Sequence, residues 1–416
     1  MNETSADRRQ SMMDDLDSQL RRSYEQHPDF RFSEPPLEID GNALEAFNNT
    51  FEFVRNHRVA LTNPQRAESR ARCLRALAEV FESLRNQAAD DFERRFLTEL
   101  QAECARLVSE ELSMYARRPS GRGISMGAAS TQADATRLDR NSHYFGVLPR
   151  SAVDEIVRIG SADIAEFRER AKRARLTRED LSVNAGRQVR EIVRVLNREF
   201  GSLGVLDAVS AYMGRRMAVG GLALELSVPQ ADWWANTFAD LPRAPATLYA
   251  HFDESIAFPK SIVYLSDVDS DNGPTSCYRQ AYQSLALKPL QEIVGRVIGN
   301  VGSDPASPLK SYYVKQYHQS ANSERFRRHF MRLPATLRFN SHFGWDILPD
   351  SDAEKNLMAR EDLMLGPAGT FIVFDGAKLL HRGGMVRRLD RIALQVIFAR
   401  STLSSRVAGK LRKAIA

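Results

Sequence analysis

The sequence predicts an α+β protein in which a β-rich core is flanked by helices and preceded by a helical extension. Three observations carry this. Residues 41 to 116 show apolar stripes at three- and four-residue steps, the period of a helix with one buried face. Residues 152 to 200 continue with amphipathic helical patterns. From residue 221 onward, short apolar runs rich in Val, Ile and Phe are bounded by Gly, Pro, Asp and Asn, as strands separated by turns are.

In chain order, residues 1–40 are polar and charged, end near Pro35-Pro36, and read as a loosely ordered arm. In the helical extension, 41–116, Leu44, Phe47, Phe51 and Val54 mark one stripe and Leu74, Leu77, Val80, Phe81 and Leu84 the next, with Asn63-Pro64 as a helix start. Phe92, Phe96, Leu100, Cys104 and Leu107 mark a third. Residues 117–135 are small and turn-forming and read as a linker or mobile loop. Its Gly121 and Gly123 lack the Gly-Lys-Ser/Thr that a phosphate loop requires. The main domain is expected over 136–402, with helices at Ala152–Arg175 and Gln188–Phe200 and strands at Gly221–Val228, Ala246–Asp253 and Ser261–Asp267. An insertion is expected at about 281–360, containing a helix from Ala281 to Val301 and a Tyr-rich strand from Lys310 to Gln319. Residues 403–416 read as a basic C-terminal helix.

Composition bounds the functions available. The chain has 416 residues and 43% hydrophobic content, enough for a large core without covalent staples. Three cysteines, Cys73, Cys104 and Cys277, are odd in number and widely spaced. That argues against a disulfide framework or a cysteine zinc site and for a reducing cytoplasm. No apolar run is long enough to cross a membrane, and the first residues lack the apolar segment of a secretory signal. A net charge of +5 spread over many arginines suits an anionic small molecule or carrier, and no nucleic-acid motif accompanies it. The aspartates of 267–274 resemble a calcium loop, but Asn272 and Tyr278 stand where an EF-hand needs Gly and Glu.

The stretch with chemistry in it is 249–265. On a strand, His251 and Asp253 fall on one face about 7 Å apart, with Phe252 turned away. One imidazole and one carboxylate are two-thirds of the set that binds a non-haem Fe(II) with open positions. The tripeptide alone decides nothing. Residues 366–399 raise it, because they read as strand, turn, His381, glycine turn and strand, supplying a third ligand and, in Arg391, a cation. Three ligands on one side of an iron must come from elements that meet at one spot, as in a double-stranded β-helix, the jelly-roll of cupins.

Together these residues resemble the phytanoyl-CoA dioxygenase-like family of Fe(II)/2-oxoglutarate-dependent oxygenases. The resemblance rests on His251-Phe252-Asp253, on Asn272-Gly273-Pro274, on Leu379-Leu380-His381-Arg382-Gly383-Gly384 and on Arg391 ten residues past His381. It extends upstream to about Phe145, through Phe145-Gly146-Val147-Leu148-Pro149-Arg150 and Val209-Ser210-Ala211-Tyr212-Met213-Gly214. The family often follows Asn-Gly-Pro with Pro-Gly-Ser-His, whereas this chain has Ser276-Cys277-Tyr278-Arg279, so the substrate side does not transfer.

The resemblance implies a jelly-roll core, an iron held by His251, Asp253 and His381, and 2-oxoglutarate held through its far carboxylate by Arg391. Arg387 and Arg388 rank lower because they lie in the turn. Oxygen is the co-substrate, and succinate and carbon dioxide leave as a C–H bond is hydroxylated or desaturated. Related halogenases replace the carboxylate by a small residue, and here Asp253 is present. Tyr278, Arg279, His342 and Trp345 are candidates for contact with a small or carrier-linked, anionic substrate, and the Trp233-Trp234 pair could line its mouth. Two other readings stay open at this point: a jelly-roll binding or regulatory protein without turnover, and a cupin-type metal enzyme that does not use 2-oxoglutarate.

Overall fold

The computed structural model describes residues 34–57, 60–115, 129–173, 179–229, 246–247, 250–253, 259–281, 285–300, 306–309, 324–339, 341, 347, 349–384 and 386–401. The chain divides into two compact units. The first comprises Met1–Arg117, Trp234–Glu254 and Tyr278–Glu361, and the second Arg118–Trp233, Ser255–Cys277 and Asp362–Ala416.

The first unit is helical. Its helix Asn63–Arg85 starts with a capping box: Thr62 Oγ1 accepts the backbone N–H of Gln65, and the Gln65 side chain accepts that of Thr62 at 2.9 Å. Pro64 occupies the first turn, where no backbone donor is needed. Leu77, Val80, Phe81 and Leu84 of this helix form one core with Phe47, Phe51 and Val54 of Gly41–His57 and with Phe96, Leu100 and Cys104 of Asp91–Tyr115. All but a few are wholly enclosed, and each such side chain contributes about 1.5–3 kcal/mol of transfer free energy. Of the helix expected over Ala281–Val301, Ala281 and Leu285 are in helical backbone, residues 282–284 lie outside the described residues, and after a turn at Ala286 (φ 46°) a helix runs over Pro289–Asn300. Its Leu290, Ile293, Val294, Val297 and Ile298 enter that same core.

Buried charges cross this helical core. Arg55 donates two bonds to Glu292, both 2.9 Å, and its Nε a third to Glu111 at 3.1 Å. Arg296, one turn after Glu292, bonds to Glu292 and to Glu111 at 3.3 Å. Three helices are thereby tied by two arginines and two glutamates whose charges cancel.

The second unit holds the sheets, save Tyr278 and Glu361, which fall in the first. Its strands are β1 (His143–Val147), β2 (Ser182–Val183), β3 (Met217–Ser227), β4 (Lys260–Tyr264), β5 (Ser276–Tyr278), β6 (Glu361–Leu363), β7 (Thr370–Phe374), β8 (Leu380–Arg382) and β9 (Arg391–Arg400). A six-stranded sheet has the order β1-β7-β4-β9-β3-β2, and a three-stranded sheet the order β6-β5-β8. The pairings of the larger sheet are antiparallel, the longest being β3 with β9, where a register shift falls between Val219 and Gly221.

Side-chain alternation sorts this sheet into two faces. Val263, Phe371, Val373, Leu394, Val396 and Phe398 join the helical side, where Val189, Ile192, Leu196 and Phe200 of Arg187–Ser202 pack. Tyr264, Ile372, Phe374 and Ala393 turn the other way and cluster with Cys277, Met364 and Leu379. Arg391 has the parity of Ala393 and so opens onto this second face.

Several further expectations change. The helix expected at Ala152–Arg175 is two helices, Arg150–Ile159 and Ser161–Arg170, divided at Gly160 (φ −87°, ψ 4°), whose N–H closes the first by bonding to Ile156 O. Within the expected linker 117–135, the segment from residue 129 is helical, as part of Ala129–Asn141, and 117–128 lie outside the described residues. The strand expected at Ser261–Asp267 is shorter, ending at Tyr264, because Leu265 and Ser266 turn toward the aspartate loop. The strand expected at Lys310–Gln319, the tryptophans Trp233 and Trp234 and the C-terminal 403–416 are outside the described residues, as is most of the N-terminal arm. Among the described residues no helix is long and apolar enough to cross a membrane.

Candidate functional site

His251 and Asp253 lie in the first unit, on a segment that is not the strand expected from alternation. Among the described residues of 246–253, only His251 takes part in a β-bridge, and Phe252 and Asp253 are in irregular backbone. The segment is anchored through Phe252, whose N–H donates to Ser341 O at 2.9 Å and whose ring lies 6.3 Å from that of Phe339. Ser341 N–H in turn bonds to Gly295 O, so the Pro289–Asn300 helix fixes the segment's depth. With Phe252 turned into the core, its two neighbours share the other side. His251 Nε2 is 3.9 Å from Asp253 Oδ1, and the two side chains are 17% and 10% exposed. The same-side expectation therefore holds without the ladder that suggested it.

His381 is in the second unit, on β8, 8% exposed. Its Nδ1 lies 2.8 Å from Leu379 O, and its ring meets Phe374 nearly edge-on at 4.8 Å. A carbonyl only accepts, so Nδ1 carries the proton and Nε2 is left with the lone pair a metal takes. The glycines after it have a steric reason. A Cβ on Gly384 would overlap the Pro274 carbonyl oxygen and crowd Pro274 N at 2.8 Å, whereas one on Gly383 would meet nothing. The Gly-Gly turn thus passes directly against Asn272-Gly273-Pro274, and Asn272 bridges Val386.

Arg391 opens β9 opposite Ser227 of β3. It donates from Nη2 to Ser227 Oγ at 3.1 Å and from Nη1 to Gly273 O. Burial pushes its guanidinium below the ordinary value, while the neighbouring Tyr264 and Glu225 push it back up. It stays charged at any working pH. Tyr264 is wholly buried, accepts from Thr275 N–H at 2.8 Å and donates to Met364 O at 3.1 Å; burial raises its pKa and the Arg391 charge lowers it. The two competing arginines are elsewhere: Arg388 pairs with Asp271 and is 70% exposed, and Arg387 N–H bonds to Asp271 O at 2.7 Å.

Of the substrate candidates, Tyr278 is 1% exposed on β5 with its hydroxyl 3.4 Å from Glu361, and Arg279 is exposed, its N–H bonded to Arg360 O at 3.0 Å. His342 and Trp345 are outside the described residues. Sequence reasoning missed Tyr212 and Asp375, which meet at 2.6 Å beside the turn that leads to His381. Only the Asp-Gly pair at 375 and 376 signals a turn there.

No protein-family model matches the chain, and no curated protein matches it. Solved structures give distant likenesses. The epimerase SnoN in complex with Fe3+, alpha ketoglutarate and nogalamycin RO is 13% identical over 66% of this chain and 85% of its own, with a TM-score of 0.35. EctD from S. alaskensis with 2-oxoglutarate and 5-hydroxyectoine is 10% identical over 68% and 79%, with a TM-score of 0.36. AviO1 from Streptomyces viridochromogenes Tue57 is 12% identical over 66% and 97%, with a TM-score of 0.35. At this distance the functional reading stands on the chain's own residues.

Proposed function

We propose that the protein is an Fe(II)- and 2-oxoglutarate-dependent dioxygenase of the phytanoyl-CoA dioxygenase-like kind, hydroxylating an unactivated C–H bond of a small or carrier-linked metabolite in the cytoplasm and releasing succinate and CO2. One observation carries the reading: in the first unit the His251 ring nitrogen Nε2 stands 3.9 Å from a carboxylate oxygen of Asp253, two ligand types side by side, and His381 of the second unit, its Nδ1 turned to the Leu379 carbonyl, is the third ligand that the reading adds. Two imidazole nitrogens and one carboxylate oxygen are the donor set for a ferrous centre with open positions. Sulfur ligands would favour zinc, and an all-oxygen set magnesium or calcium.

Bound there, iron with 2-oxoglutarate and oxygen supplies the oxidising power for a C–H bond. The chain's own residues do the rest. Asp253 brings a negative charge that offsets part of the metal's. His381 keeps its ring oriented through the Leu379 carbonyl. Arg391 offers a planar two-pronged cation to the far carboxylate of 2-oxoglutarate, held in aim by Ser227 and Gly273. Tyr264 is buried beside it and clusters with the apolar Ile372, Phe374 and Ala393 on the same face of the sheet. The six-stranded antiparallel sheet and the smaller three-stranded sheet support the jelly-roll that this reading requires.

The test is succinate formation from 2-oxoglutarate in the presence of added Fe(II), first without substrate and then across anionic and carrier-linked metabolites. His251→Ala and Asp253→Ala are expected to keep the far-ultraviolet circular dichroism of the parent and to lose iron-dependent turnover. Full turnover in either variant, or none in the parent with any metal, would remove the assignment.

A further inference from the structure

Asp375 follows directly on β7 with its side chain wholly enclosed, and its polar atoms are engaged in an ordered set. Its N–H donates to Ser142 O at 2.9 Å. One carboxylate oxygen accepts the Tyr212 hydroxyl at 2.6 Å and the other the Ala377 N–H at 3.1 Å. Its carbonyl accepts the N–H groups of Lys378 at 3.0 Å and Leu379 at 2.9 Å. The carbonyl of that same Leu379 takes Nδ1 of His381 at 2.8 Å. Tyr212 comes from the helix Val205–Met213, which ends at Gly214 in the left-handed region (φ 61°). A buried carboxylate is expensive to desolvate unless hydrogen bonds compensate it, and one placed in a turn without such a need is an unlikely structural choice.

We propose that Tyr212 and Asp375 are positioning residues for His381: the hydroxyl–carboxylate pair sets the 375–379 turn so that the Leu379 carbonyl holds the Nδ1–H form of the ring and leaves Nε2 as the atom that would ligate a metal. As a statement about iron affinity this rests on the function proposed above; as a statement about the ring it does not. Neither residue is among the three proposed ligands, so both act through His381. Tyr212→Phe removes a single oxygen and keeps the ring under Lys378, whose Nζ is 5.6 Å from the ring centre.

Two readouts test the pair on the full chain. The first is the His381 tautomer in metal-free protein, from long-range proton–nitrogen NMR correlation, assigned by its absence in His381→Ala. The parent is expected to show Nδ1–H, and Tyr212→Phe and Asp375→Asn to gain the Nε2–H form. The second is Co(II) affinity by calorimetry, expected to fall about 10- to 100-fold in each variant, the usual effect of removing an outer hydrogen-bond partner of a ligand. In the double variant the loss is expected to be no larger than in the worse single one, because both act through one contact. Unchanged tautomer and unchanged affinity in Tyr212→Phe would overturn the proposal even if Asp375→Asn fails to fold. A shifted tautomer with no Co(II) binding by the parent would sustain the positioning role and overturn the metal reading instead.

Discussion

Arg391 and Ser227 stand directly opposite each other on β9 and β3, and the guanidinium Nη2 donates to the serine hydroxyl at 3.1 Å. An arginine at the mouth of an apolar strand is here a braced cation, aimed by a hydroxyl on one side and by the Gly273 carbonyl on the other. Arg391→Ala is expected to raise the 2-oxoglutarate concentration needed for half-maximal succinate formation about 10- to 100-fold, corresponding to ~1.5–3 kcal/mol for hydrogen bonds to a charged group. Arg391→Lys should recover only part of this, since one ammonium cannot keep the braces and a two-pronged contact together. Arg388→Ala, removing a 70% exposed partner of Asp271, should leave the requirement as it was.

The buried charges of the helical unit make a prediction about stability. The Glu292 and Arg296 side chains are each 4% exposed. Glu292→Ala removes the carboxylate that Arg55 and Arg296 share and is expected to cost about 3–5 kcal/mol, read as a fall in the urea midpoint. Replacing Glu292 and Arg296 together by Leu and Met leaves Arg55 paired with Glu111 and should cost much less, because no unpaired charge is buried. A double variant as unstable as the single one would mean that shape rather than charge dominates there.

What the sequence disclosed, and what it did not, divides along the range of the interaction. The helix start at Asn63-Pro64, the stripe through Val80 and Phe81 and the strand opening at Arg391 depend on residues within a turn or a pleat of one another, so local pattern announces them. His251 and Asp253 were placed on one side for an incomplete reason. Alternation was right, but Phe252 is held by Ser341 and Phe339, residues far along the chain, rather than by a ladder. The break at Gly160 needed knowledge of Leu224, which a Cβ there would approach to 2.9 Å. Arg55 with Glu292, and Tyr212 with Asp375, are pairs separated by 237 and 163 residues, and no local pattern announces either.

The three thiols give a chemical prediction. Cys73, Cys104 and Cys277 are all buried, and desolvation pushes Cys73 up from 9.0 to about 12 and Cys104 higher still. Only a thiolate attacks a disulfide reagent, and at pH 8 a thiol with such a pKa is about 0.01% ionised. Native protein is expected to release almost no thionitrobenzoate from Ellman's reagent at pH 8, and denatured protein three equivalents, one per cysteine. The sign for stability follows. Because the folded-state value of Cys73 is raised, its contribution is full below about 9 and is lost as pH climbs from there toward 12, so the urea midpoint should fall across that window.

Gly384 offers a comparison within a single dipeptide. A methyl group there would overlap the Pro274 carbonyl and crowd Pro274 N at 2.8 Å, both backbone atoms with nowhere to rotate, while at Gly383 nothing lies within 4 Å. Gly384→Ala must therefore push apart the turn after His381 and the Gly273-Pro274 segment, at a cost of about 1–3 kcal/mol for overpacking. Because Gly273 O braces Arg391, the displacement reaches the proposed 2-oxoglutarate site before it reaches the ring of His381, which is fixed from the other side by Leu379. The expected result is a raised 2-oxoglutarate requirement with Co(II) affinity nearly kept, and a parent-like Gly383→Ala. Equal loss of metal and 2-oxoglutarate binding in Gly384→Ala would show that the two segments move as one body, and equal damage at Gly383 would show that the contact with Pro274 is not what matters.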